Sequence, residues 1–298
     1  MAMRDLPDAV DGVLPGWDAR AGWLLAPLVL FMLAGFVVPL VLLLRMSLYP
    51  SVDNQAYGPG LTFENYVELL GSPFIHGIVV YTFQTAVVVT VLTLVVSIPY
   101  AYAAWRGGEN LRRLLLAAAV LTLLTTLVVR LYAVNLILAP NGVLTELLRT
   151  VTGQDLQLVN NEVGVLIGQV YITAPYAILA VYSVLVSIDT DLIDAALDLG
   201  ASRPRAFYEV VLPNALPGIV VAVVISFTWT VGAYSAPVLL GSTKERTFAV
   251  QVQELMVGRF DWPAGAALST IILLVVLVCL VALFQFLGRY GGGDGYLE

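Results

Sequence analysis

The chain has 298 residues, 59% of them hydrophobic and only 12% charged, with a formal net charge of −7 and a mean hydropathy of +0.90. Soluble domains carry about 25% charged residues, so this chain lacks the polar side chains to cover itself in water and needs a lipid bilayer around it. The acidic balance leaves no basic patch for nucleic acid. One cysteine (Cys279) and one histidine (His76) exclude an intrachain disulfide and argue against a histidine metal site or a catalytic triad.

Residues 1–21, with Asp5, Asp8, Asp11 and Asp18, read as a flexible or surface-lying tail. A bilayer core of about 30 Å takes about 20 apolar residues as helix. Six spans of that kind are expected, at 22–44, 78–104, 113–138, 163–187, 216–239 and 266–288. In lipid each segment must satisfy its own backbone, so the fold class is all-α integral membrane. The first apolar window is too long for a signal-peptide core, and no small-residue cleavage site follows it, so it is expected to stay as a helix. A cytoplasmic tail is expected at 289–298, and its Gly-rich residues 291–295 read as a disordered end.

Arginine placement sets the orientation. Arg106, Arg112 and Arg113 fall in the 2–3 loop and Arg203 and Arg205 in the 4–5 loop, while Arg4, Arg20 and Arg289 belong to the tails. Both termini are therefore expected in the cytoplasm of a multi-pass cell-membrane protein, against a counterweight of Lys244, Arg246 and Arg259 in the 5–6 loop. The three outer loops are long enough for short interfacial helices and carry Pro, Gly and aromatic residues that suit a soluble partner.

The loop at 189–213 is the longest polar stretch inside the apolar chain. It reads as two short helices. Thr190 is placed to cap the first, Asp191, Asp194 and Asp198 share one face, and Leu192, Ala195, Ala196 and Leu199 make the other. Gly200 is a natural stop because glycine takes positive φ readily. Ser202 is placed to cap the second helix, Pro204 lies in its first turn, Ala206, Phe207, Val210 and Val211 form its apolar stripe, and Pro213 ends it. Physics supports a stiff cytoplasmic elbow with small residues at its corner; a plain connector lying on the membrane is the competing reading. No G-x-x-x-x-G-K-[ST] phosphate loop is present, so the chain is not expected to be an enzyme with an ATPase site of its own; if it takes part in active transport, ATP hydrolysis must reside on another polypeptide.

Within this elbow Asp194-Ala195-Ala196, Gly200, Val210, Leu212 and Pro213 keep the register E-A-A, three residues, Gly, nine residues, Ile, one residue, Leu-Pro. That register resembles the EAA loop of importer permeases of the ATP-binding-cassette class, with Asp for Glu and Val for Ile. The resemblance extends from Pro99 to Ser269 and is strongest to the spermidine/putrescine-type permeases. It rests on Pro99-Tyr100-Ala101-Tyr102, on Arg130-Leu131-Tyr132-Ala133 followed by Asn141-Gly142-Val143-Leu144, on Gly232-Ala233-Tyr234 with Pro237-Val238-Leu239-Leu240-Gly241, and on Asp261-Trp262-Pro263 with Gly265-Ala266-Ala267 and Ser269. Permeases for iron, sulfate, molybdate and thiamine share parts of these motifs. The resemblance implies a six-helix permease of the type I importer kind with no cofactor of its own. It implies a dimer of ATPase subunits that use ATP and Mg, a second permease subunit, and an extracytoplasmic substrate-binding protein. It also implies that the seven elbow residues just named couple to the ATPase.

A polyamine is a cation, yet no carboxylate lies within spans 2 to 6 as placed here. Arg130 is expected about 25 Å above Arg113, near the outer interface; snorkelling, an ion pair and a role in a cavity are all open to it. Tyr171, Tyr176, Trp229 and Tyr234 can offer ring faces to a cation, and Asp261 and Glu254 are outer carboxylates on its way in. A secondary transporter would call for intramembrane Asp, Glu or His, or for inverted repeats. A membrane enzyme would call for clustered catalytic groups. The sequence displays neither.

Overall fold

The computed structural model describes residues 19–52 and 55–290. The acidic tail up to residue 18 and the glycine-rich segment at 291–295 lie outside the described residues. Among the described residues fourteen α-helices and two π turns follow one another, and there is no strand. The first, α1 (Ala19–Met46), begins three residues before the expected span and lies against the last, α14 (Trp262–Tyr290). The window of α1 that would cross the membrane has none of its residues buried in this chain.

Three helices make the centre: α3 (Pro73–Arg106), α7 (Glu162–Leu185) and α11 (Leu216–Val231) pack on one another more extensively than any other elements. Lipid removes the hydrophobic drive between helices, so close approach and hydroxyl bonds must hold them. Gly218 lets α11 ride on α7: a Cβ there would stand 2.7 Å from the Ala180 carbonyl oxygen and 3.0 Å from the Val181 Cα. The Thr93 and Thr173 hydroxyls meet at 2.8 Å between α3 and α7, both fully buried.

Two expected spans are corrected. The third is not one helix over 113–138 but α4 (Glu109–Leu124) and α5 (Leu127–Leu138), broken at extended Thr125 and Thr126. Thr122 and Thr125 donate their hydroxyls back to the Ala118 and Leu121 carbonyls, a bond that bends helices, and the β-branched run disfavours continuing. An apolar window does not register such a break. The fifth span was expected to run to residue 239, but α11 stops at Val231 and a separate α12 (Ser235–Leu240) follows. Pro237 has no N–H to give the Ala233 carbonyl, four residues earlier; the buried Thr247 hydroxyl donates to it instead at 2.7 Å. At 16 residues α11 is about 24 Å long, and it meets the helical segment Arg203–Asn214 at 69°.

Outside the bundle, α2 (Glu64–Gly71) packs on α3 and α14, and α6 (Val143–Thr152) packs on α5. In the 5–6 loop α13 (Phe248–Gln253) folds back on the bundle, with the Phe248 N–H donating to Thr82 Oγ1 of α3 at 3.1 Å.

Candidate functional site

The elbow begins with α8 (Asp191–Asp198). The Thr190 side chain makes no capping bond; the Asp189 carboxylate does that work, accepting from the Asp191 N–H at 3.0 Å. The helix ends as expected at Gly200, whose φ is +87°. The Gly200 N–H donates to the Leu197 carbonyl at 2.9 Å and the Ala201 N–H to the Ala196 carbonyl at 3.0 Å, the paired bonds of a Schellman stop.

The second arm is α9 (Arg203–Ala206), a π turn (Phe207–Val211) and α10 (Leu212–Asn214). Pro213 does not end this arm; Asn214 does. Pro213 has no N–H and crowds the carbonyl of residue 209. The wider π turn just before it, closed by the Leu212 N–H on the Phe207 carbonyl, takes up that mismatch.

Which side of α8 is used differs from the sequence reading. Ile193, Ala196 and Leu197, at i, i+3 and i+4, pack into the core shared by α3, α7 and the second arm. Leu192, Ala195 and Leu199 point away from it, and Leu199 is 90% exposed. The helix is therefore apolar on both sides, one seated on the bundle and one open. Asp194, Ala195, Gly200 and Pro213 are exposed, and Ala196, Val210 and Leu212 are half-buried.

At the other end of the bundle, Tyr176, Trp229 and Tyr234 line one cavity of about 800 Å³. Positions 169, 172 and 176 of α7 form one helical face onto it, and 225, 228 and 229 of α11 form another. The chain reversal at 232–236 closes it, held by the Thr247 bond and by Asn135, whose Nδ2 donates to the Leu239 carbonyl at 3.0 Å. Tyr176 and Trp229 stack with centroids 5.3 Å apart. No lining side chain carries a charge. Gln169, which the sequence reading did not single out, lines this cavity; it is 1% exposed and its Oε1 has no hydrogen-bond partner. Its signal was available, as an amide alone in the apolar run 163–187.

The other candidates fall elsewhere. Tyr171 is exposed on α7, off the cavity. Arg130 does not snorkel: it is 5% exposed, and its Nε and Nη1 have no partner among the described residues. It sits in the first turn of α5, about 12 Å from that helix's C-terminal end, and Leu127, one turn earlier, lines the aromatic cavity. Asp261 caps α14, accepting from the Ala264 N–H at 3.1 Å and from the Ser51 hydroxyl at 2.7 Å. Among the described residues no His/Cys/Asp/Glu group has metal-ligand geometry.

A bundle of apolar spans, a stiff two-armed elbow at one end and an uncharged aromatic cavity towards the other define a multi-pass membrane permease. The sequence pattern of binding-protein-dependent transport system inner membrane components matches residues 11–289. The chain belongs to that family, and it is an ABC importer permease. It is 29% identical over 253 residues, 84% of this chain and 86% of the relative, to the spermidine/putrescine transport system permease protein PotB of Haemophilus influenzae. The Escherichia coli protein of the same name is 26% identical over 266 residues, 89% of this chain and 94% of its own length. A crystal structure of a bacterial alginate ABC transporter in complex with an alginate pentasaccharide-bound periplasmic protein shares the fold, with a TM-score of 0.72 at 17% identity, covering 93% of this chain and 98% of that one.

Proposed function

We propose that this chain is the membrane-spanning subunit of an ATP-driven importer of small organic cations of the polyamine class. In this reading the open side of α8 seats on an ATPase subunit. ATP and Mg are used by a dimer of that subunit, a second permease completes the pathway, and an extracytoplasmic binding protein delivers the solute. Both termini lie in the cytoplasm. The observation that carries the reading is the two-sided α8: Leu192, Ala195 and Leu199 stand open beside the Schellman stop while Ile193 and Leu197 tie the same helix to the bundle. Force applied to one side of so short a helix reaches the other without bending it. The polyamine assignment is supported by the permease relatives and by the stacked Tyr176–Trp229 pair, whose faces suit a cation in a cavity with no carboxylate.

Membranes holding the assembled transporter should take up labelled spermidine only with ATP, and tagged permease should bring down an ATPase. Uptake that runs without ATP, or a permease that purifies with no ATPase, sinks the coupling assignment. Uptake of an anion such as sulfate in place of spermidine sinks the cation assignment alone.

A further inference from the structure

A cavity of about 660 Å³ separates the elbow from the cytoplasmic end of α3. Tyr102 and Phe207 line it, edge to face at 5.0 Å, as do Ile193 and Leu197 from the bundle side of α8. Arg106 and Arg203, both exposed, are also among its lining residues. The elbow's other arginine is treated differently. Arg205 is held by Glu209 at 2.9 Å, and Arg113 in the 2–3 loop pairs with Glu109. Arg106 and Arg203 have no carboxylate partner among the described residues. Among the described residues Arg112 of the 2–3 loop also lacks an ion pair, but it does not line this cavity, so Arg106 and Arg203 are the uncompensated charges at its wall. Its wall also includes the π turn, where the helix departs from regular geometry beside Pro213.

We propose that this cavity binds an anionic glycerophospholipid. Its phosphodiester oxygens accept hydrogen bonds from Arg106 and Arg203, and one acyl chain lies along Tyr102, Phe207 and Leu197. Charge and chemistry select this occupant. A guanidinium pair matches a phosphate, an apolar floor between aromatic rings matches a hydrocarbon tail, and basic pockets between helices at the cytoplasmic boundary are where acidic headgroups settle. The Arg106 guanidinium lies 5.8 Å from the Trp105 ring, the kind of aromatic that sits at headgroup level. A free anion would leave the apolar floor unused. The bound lipid would wedge the hinge between elbow and bundle on the side of α8 opposite Leu199, so its occupancy does not compete with a protein docked on the open side.

The test uses the full chain purified in detergent, with native mass spectrometry after addition of phosphatidylglycerol or phosphatidylcholine. The wild-type chain should retain phosphatidylglycerol preferentially, with about a fivefold contribution from each arginine. R106Q/R203Q should bind the two lipids equally, and R113Q, whose arginine is paired and off the cavity, should keep the wild-type preference. If the double variant fails to fold, R106Q and R203Q singly decide the matter, each expected to lower the preference about fivefold. Equal retention of both lipids by the wild-type chain overturns the proposal, as does a preference that survives loss of the arginines. Inorganic phosphate that displaces phosphatidylglycerol at matched concentration overturns it too, because the site would then hold a free anion.

Discussion

Gly200 stands at the corner of the elbow and Gly218 just beyond its end, in α11, and they are glycine for different reasons. Gly218 is needed for space: the α7 backbone lies where its side chain would go. Gly200 is needed for conformation: its φ is +87°, yet a Cβ there would meet nothing within 4 Å. The bundle is held by close approach, and the elbow keeps its corner bare. In the proposed reading, the bare corner beside the exposed Leu199 is where an ATPase subunit seats. The contrast separates what holds the protein together from what it presents to others.

The largest effect should come from Gly218→Val. Backbone atoms at 2.7 and 3.0 Å cannot rotate away, so overpacking at the top of its usual range, about 3 kcal/mol, is expected. Gel filtration in detergent should show loss of the monodisperse chain; an unchanged profile and melting curve would mean that α11 does not depend on this approach. Next is Gly200→Asp. The left-handed backbone costs a side chain roughly 1 kcal/mol or more, so the chain should insert and purify, while ATP-dependent uptake is lost. Full uptake would reduce the elbow to a connector and erase the contrast.

Arg130→Met sharpens the comparison from the bundle side. Removing a buried charge whose Nε and Nη1 lack partners should raise the melting temperature of the isolated chain, by about 1 kcal/mol or more in stability. Uptake by the assembled transporter should fall while the ATPase still co-purifies. Normal uptake would mean that the charge is idle. The smallest effect is Thr247→Val, which leaves the Ala233 carbonyl without its donor and should cost about 1–2 kcal/mol. Because that bond shapes the reversal at one end of the aromatic cavity, solute affinity should change more than coupling does. Equal loss of both would place the reversal in the coupling path.

Much of this was legible in the residues. Spans two, four and six lie where charge-free windows put them, and the Gly200 stop follows from glycine's access to positive φ. The choice of side on α8 was not legible. Two apolar stripes are present, Leu192-Ala195-Leu199 and Ile193-Ala196-Leu197, and only the direction from which α7 delivers the chain decides which one meets the bundle. The helix breaks at Thr125–Thr126 and at 232–234 were missed because hydropathy records transfer to lipid and not backbone bonding. Their cues were the threonine run and Pro237. Asp261, read from the sequence as an entry carboxylate, also caps α14, since Trp262 and Pro263 begin that helix immediately after it.

The residues alone determined that the chain lives in lipid as a set of helices, that its one long polar segment is a stiff elbow, and that it has no phosphate loop. Those properties depend on local composition, spacing and backbone preference. Only the tertiary structure decided that Tyr176, Trp229, Tyr234 and Gln169 share one cavity, that Arg130 is buried with its Nε and Nη1 unpartnered among the described residues, and that Arg106 and Arg203 line a common cleft. Each of these brings together residues tens of positions apart, and that pairing is set by which helix faces can approach closely, as Gly218 and the Thr93–Thr173 hydroxyls allow.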